Sequence, residues 1–289
     1  MPSFWSRWLI RGCVMRRLDR RGRIGLVLLV VVAAGALLAP VVAPVDPEAQ
    51  RDVVATRFLP PLTSDGFGVF HALGTDRLGR DVWSRLVYGS RVSLAVGALA
   101  MVISLVIGIG VGAAAAAGPR ALGTVLLGAT DFALGLPRVV LLLLLAALWQ
   151  PSAVLVVVVL GVTGWMPVAR LVHAEVRAQL VRPYVEAATA LGGSRIRVLA
   201  RHALPNAMAP VVALATLGVG NAITLEAGLS FLGLGVQPPA ASWGTMIASG
   251  RDTVVNAPWV GLAPGIALVL VVVGCTLVAD AVSEAGSRE

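Results

Sequence analysis

Six stretches of this chain are apolar over lengths near the hydrocarbon thickness of a bilayer, and that repeated feature leaves few folds open. They run over about 24–45, 92–117, 125–149, 152–168, 207–229 and 260–282. Composition agrees: 57% of residues are hydrophobic and only 13% charged, with a mean hydropathy of +0.87, values foreign to a soluble domain of 289 residues. An all-α membrane protein with six transmembrane helices is the simplest reading.

The first run follows an arginine-rich stretch (Arg7, Arg11, Arg16, Arg17, Arg20, Arg21, Arg23), as in a signal peptide. Its apolar part is too long for that reading, since a signal core spans about 7–15 residues. An uncleaved first span is expected. Within the third run, Asp131, Pro137 and Arg138 interrupt the apolar pattern. Pro137 predicts a break or kink there, with the first third of the run at the membrane surface.

Arginine bias on short loops sets orientation and puts the N-terminal tail in the cytoplasm. Six spans then make 170–202 cytoplasmic too, and it is independently arginine-rich (Arg170, Arg177, Arg182, Arg195, Arg197, Arg201). Between residues 46 and 91, arginines and acids balance, as an outer loop permits. The expected layout is a basic cytoplasmic tail over 1–23, a first span over 24–45, an outer loop over 46–91, a five-helix region over 92–282 holding a cytoplasmic loop at 170–205, and a cytoplasmic tail over 283–289.

Gly108 and Gly112 form a small-xxx-small pair suited to close helix packing. In the fifth span Thr216, Gly220 and Thr224 recur on one face, with Asn221 beside them. That face suits either a polar path or hydrogen bonds to neighbouring helices and to its own backbone.

The most informative polar segment is Tyr184 to Pro205. It holds Glu186-Ala187-Ala188, then Gly192, then an arginine-rich stretch beginning at Arg195, then Leu204-Pro205 at the entrance to the fifth span. The small alanines let a short helix lie close against another protein, and Gly192 suits a turn into a second short helix. Pro205 fits the first turn of the helix after it. Glu-Ala-Ala, a glycine six positions after the glutamate and a closing Leu-Pro resemble the cytoplasmic signature of ABC importer permeases. Gly74-Thr75-Asp76, Gly79-Arg80-Asp81, Ser84-Arg85 and the run from Glu226 to Gly235 resemble the C-type membrane subunit of the dipeptide, oligopeptide and nickel permeases. The resemblance covers about 70–275. Near the C-terminus the family's Gly-Asp-Gly-Leu-Arg-Asp pattern is reduced to Ala279-Asp280-Ala281.

The resemblance implies a type I ABC importer permease fold in the inner cell membrane, with both termini cytoplasmic. It implies a coupling helix carrying Glu186, Ala187, Ala188, Gly192, Arg195, Leu204 and Pro205 that docks on an ATPase. Partners would be a second permease subunit, two ATPase subunits, membrane lipid and an extracytoplasmic binding protein, with no nucleic acid. Asp76, Arg80, Asp81, Arg85 and Trp243 would face that binding protein. Peptide is the first expectation for the solute, with nickel and other small solutes open. No residue is assigned to catalysis and no cofactor is expected.

The same residues bear on other functional classes. Every basic residue among the 23 is arginine, so the lysine of a G-x-x-x-x-G-K-[ST] phosphate loop is absent and ATP hydrolysis must belong to another chain. An ion-coupled carrier would use Glu226 or Asp131, both near span ends. An enzyme would need a convergent cluster, whereas His71, His173 and His202 are scattered over expected loops, and Cys13 and Cys275 offer no metal-ligand spacing. Asp76 and Asp81, flanked by Arg77 and Arg80, read as salt-bridged rather than metal-binding. A lipid-bound amphipathic helix is the bland alternative for the arginine-rich segment.

Overall fold

The structure, a computed structural model, describes residues 19–43, 45–50 and 52–287. Most of the basic tail, with Arg7, Arg11, Cys13, Arg16 and Arg17, lies outside the described residues, as does Arg51.

The helices follow the apolar runs. α1 (Arg20–Leu37) is capped by Asp19, whose carboxylate accepts the Gly22 amide at 2.7 Å, and is followed by the short α2 (Ala39–Val42). A short helix α3 (Val53–Thr56) and the two-residue antiparallel strands β1 (Thr63–Ser64) and β2 (Phe70–His71) build the segment before α4. α4 (Val82–Ala117) then runs for 36 residues. At 1.5 Å per residue it is roughly 54 Å long, well beyond the ~30 Å hydrocarbon core.

α4 begins ten residues before the expected start at 92. Asp81 caps it, its carboxylate accepting the Ser84 amide at 2.7 Å, and no breaker intervenes before Gly118. The polar residues Ser84, Arg85, Ser90 and Arg91 read as loop but sit on the helix's first turns.

α5 (Arg120–Gly135) and α6 (Arg138–Leu148) meet at an 83° bend on either side of Leu136-Pro137, where the proline predicts a break. α7 (Ala153–Val162) and α8 (Trp165–Leu180) form one 28-residue span. The fourth helix therefore continues past the expected end at 168 and takes up the first third of the loop set at 170–205. Beyond it come α9 (Pro183–Ala190), α10 (Arg195–Val198), a π-helical turn (Leu199–Ala203) and α11 (Leu204–Asn206). α12 (Met208–Phe231), α13 (Trp243–Gly250) and α14 (Trp259–Ser287) complete the chain.

Among the described residues four helices are long and apolar enough to cross a membrane, five if the bent α5–α6 pair is one span. α1, with Arg20, Arg21 and Arg23 in its first turn, falls outside that count and supplies the sixth apolar segment. α4 is the central helix. A Cβ at Gly108 would lie 2.6 Å from Val168 Cβ and one at Gly112 2.5 Å from the Ala169 carbonyl, whereas one at Gly110 would meet open space. The glycine pair is what lets α4 and α8 approach. On the outer surfaces Val31, Val106, Val154 and Leu262 stay exposed, as lipid-facing positions should.

Candidate functional site

α9 starts with Pro183 at its first position, where a missing amide costs nothing, and Glu186 lies in its first turn. Its end is a Schellman cap: Gly193 N–H donates to the Ala188 carbonyl at 3.1 Å and Gly192 N–H to Thr189 at 3.0 Å. Gly192 has φ +84°, a conformation that penalises any Cβ. The Ala188 carbonyl and Val198 Cγ2 lie 2.7 and 2.9 Å from where a Cβ would stand at Gly193, so α9 and α10 close on each other across it.

Val185 and Val198 are the buried anchors of the two short helices, each 4% exposed. Outside them Glu186, Ala187 and Arg195 are exposed and Ala188 half-buried. Two apolar side chains face away from the protein altogether: Leu191 is 89% and Ile196 80% exposed. They flank the Gly192-Gly193 turn. Sequence reasoning passed over both, although an apolar pair around Gly-Gly in a polar segment was a readable signal.

A second missed residue is Tyr184. Its hydroxyl donates to Gln179 Oε1 at 2.7 Å and accepts from Asn206 Nδ2 at 3.2 Å. Gln179 ends α8 and Asn206 ends α11, so one phenol ties α9 to both flanking helices. Pro205 falls in the first turn of α11, as expected, and Leu204 is half-buried beside it.

At the other end of the molecule the expected outward-facing side chains are not at the surface. Asp76, Arg80, Asp81, Arg85 and Trp243 are all buried, at 9% exposure or less. They are tied up internally. Arg80 pairs with Asp76 at 2.7 Å, and Arg85 Nε lies 3.8 Å from the same carboxylate. Trp243 Nε1 donates to the Leu86 carbonyl at 3.1 Å, and its amide to Ser93 Oγ at 3.1 Å. Exposed apolar groups at this end include Val54, Leu62, Phe67 and Phe70 of the segment before α4, and Phe231, Leu232, Val254 and Val255 around α13.

Glu226 is fully buried where α4, α12 and α13 meet. Its Oε1 accepts from Ser230 at 2.7 Å and Ser242 at 2.8 Å, and its Oε2 from Ser93 at 3.4 Å. On the neighbouring face of α12, Thr216 and Thr224 donate to their own helix carbonyls, at Val212 and Gly220. Asn221 and Thr224 are exposed. The three histidines are not loop residues: His71 lies in β2, His173 in α8 and His202 in the π turn.

The profile of the binding-protein-dependent transport system inner membrane component family matches residues 105–287. The chain belongs to that family. The N-terminal membrane domain of oligopeptide transport permease C matches residues 17–61 of the same permease. Among curated proteins the permease is 39% identical, over 90% of its own length and 86% of the relative's, to the di/tripeptide transport system permease protein DppC of Pseudomonas aeruginosa (strain UCBPP-PA14). It is equally identical, over 92% of its length and 87% of the relative's, to a putative peptide transport system permease protein of Brucella suis biovar 1 (strain 1330). The permease also shares its fold with the inward-facing MetNI methionine ABC transporter, at a TM-score of 0.56 and 19% identity over 71% of this chain and 94% of that one. It is thus a multi-pass inner-membrane subunit of an ABC importer that works with a binding protein.

Proposed function

We propose that the permease imports peptides as one half of a heterodimeric membrane channel, and that two separate ATPase chains drive it through the Pro183–Pro205 segment. The observation that carries the reading is the rigid Gly192-Gly193 turn presenting Leu191 and Ile196 outward. An exposed apolar pair on a capped, proline-started helix suits the groove of a partner protein. Glu186 and Arg195 supply polar rim contacts beside it.

Motion of the ATPases would then act on the spans through Tyr184, whose hydrogen bonds reach both α8 and α11. Asn221 and Thr224 lie on a face of α12 that lipid would penalise, which favours the side turned to the path or the second subunit, and Thr216 lies on the same helix. The cap built on Asp76, Arg80, Asp81, Arg85 and Trp243 holds the outer surface that meets the binding protein, while Phe231, Leu232, Val254 and Val255 offer the contacts. Both termini face the cytoplasm in this arrangement. The peptide preference follows the 39% identical relatives, whose names state peptide transport.

Uptake by proteoliposomes carrying the assembled complex tests this. Labelled di- and tripeptides should accumulate only with binding protein outside and ATP inside, and the Glu186→Arg exchange should lower that uptake with the membrane part still folded. Uptake driven by an ion gradient without ATP would contradict the reading.

A further inference from the structure

Arg138 is a charged group that neither the coupling segment nor the outer cap uses. It opens α6 directly after the bend at Leu136-Pro137, and a second span, α7–α8, breaks beside it at Thr163-Gly164. A Cβ on Gly164 would stand 3.3 Å from Arg138 Nη2, so the glycine leaves room for the guanidinium. Gly164 lies about 17 Å from one end of the α7–α8 span and about 24 Å from the other at a rise of ~1.5 Å per residue, which puts the guanidinium inside the hydrocarbon layer.

A guanidinium stays protonated even there and has only donors to offer. This one is poorly satisfied. Its Nη2 reaches the Leu160 carbonyl only at 3.5 Å, an oxygen shared with the Thr163 hydroxyl at 3.4 Å, and its buried Nε has no hydrogen-bond partner. Among the described residues no carboxylate pairs with it: Asp131 on α5 takes Arg170 at 3.1 Å, and Glu226 is held by its serines. Water would serve the donors but leave the charge uncompensated.

Lipid penalises such a charge, so the side chain must turn to protein or to water. Irregular backbone at membrane depth is tolerated where it is buried in protein or lines a wet cavity. Two such breaks meet at this half-buried arginine, and its neighbours Val139 and Val140 stay exposed, so the breaks are not sealed inside the chain. A cation on the wall of a path calls for a mobile anion, and a carboxylate fits the two terminal nitrogens of a guanidinium with parallel hydrogen bonds of about 2.7–2.9 Å. We propose that Arg138 receives the carboxylate of the solute in transit, the carboxy terminus of a peptide. This proposal rests on the peptide reading above.

Calorimetry on the assembled complex without binding protein tests it, using glycylglycine against glycylglycinamide, which keeps the amine and lacks the carboxylate. The acid should bind at least tenfold more tightly, and Arg138→Gln should bring the two within threefold of each other. The unfolding midpoint of that variant should stay level or rise, because the exchange removes a charge that the spans do not neutralise, whereas loss of a merely structural arginine would lower it. Should the glutamine variant not fold, Arg138→Lys, which keeps the charge without the planar fork, carries the test with at least a threefold loss of preference. Equal binding of acid and amide by the wild type, an unchanged preference in the folded variant, or no binding at all would overturn the site. A folded Arg138→Gln chain that no longer holds the second permease subunit would overturn it in favour of a counter-ion there. Peptide uptake by the wild-type complex separates the two claims. Uptake without the acid preference sinks the arginine site alone, and the preference without any peptide uptake sinks the peptide reading alone.

Discussion

Replacing Leu191 by aspartate is expected to cut ATP-driven uptake at least tenfold while leaving the membrane helices folded. Leu191 is 89% exposed and touches nothing the fold needs, so the exchange should shift stability by no more than about 0.5 kcal/mol. In a partner's groove the same change removes an apolar anchor and buries a charge without a counter-ion. Such a loss is worth about 2–4 kcal/mol at an interface hot spot, or more than a decade in affinity. Ile196→Asp should behave alike, because Ile196 is 80% exposed on the other side of the Gly192-Gly193 turn. Co-purification of the ATPase with each variant reads the effect directly. Full co-purification with full uptake would show that the apolar pair is not the anchor.

Glu226→Ala is expected to have the opposite signature, a loss of stability with no direct effect on ATPase binding. The alanine removes the acceptor shared by Ser93, Ser230 and Ser242 and leaves a cavity where α4, α12 and α13 join. Orphaned buried hydroxyls and the lost packing together cost about 3 kcal/mol. A chain of this size should then unfold roughly 5–10 °C earlier. Glu226→Gln retains one acceptor oxygen and should cost clearly less. Thermal unfolding of the purified complex in detergent separates the three proteins. An alanine variant as stable as the wild type would mean that the serine cluster does not hold α13 in place.

The parts of this architecture that were legible in the sequence are those encoded locally. Six apolar runs are visible because lipid allows little else, the break at Pro137 because a ring replaces an amide, and the turn at Gly192 because a residue at φ +84° wants no Cβ. The start of α4 at Val82 was missed because its first turns carry polar residues that are satisfied inside the fold: Arg85 lies beside Asp76, Ser90 donates to the Val87 carbonyl and Arg91 to the Ala36 and Leu37 carbonyls at the end of α1. Burial of Trp243 depends on Leu86 and Ser93, 157 and 150 residues away in sequence, and no local pattern reports such a contact. His71 between Asp65 and Asp81 was hidden for a related reason: an irregular loop folds them together without a period that could be read. In the segment from Pro183 to Pro205 the motif residues were legible, but Leu191 and Ile196 look like core residues until the structure shows both facing outward. Tyr184 looked incidental because its partners, Gln179 and Asn206, flank the motif from opposite sides.

The claim on which the rest depends is that the Gly192-Gly193 turn is where energy enters. Site-specific cross-linking from cysteine at position 191 tests it most directly. The natural Cys13 and Cys275 would first be replaced, and the assembled complex treated with a short bifunctional reagent with and without ATP. The account predicts a product between this chain and the ATPase, with a yield that changes on nucleotide binding, and none from cysteine placed at the outer residue Val255. A cross-link to the ATPase from position 255, or none from position 191 in a complex that still transports, would contradict it.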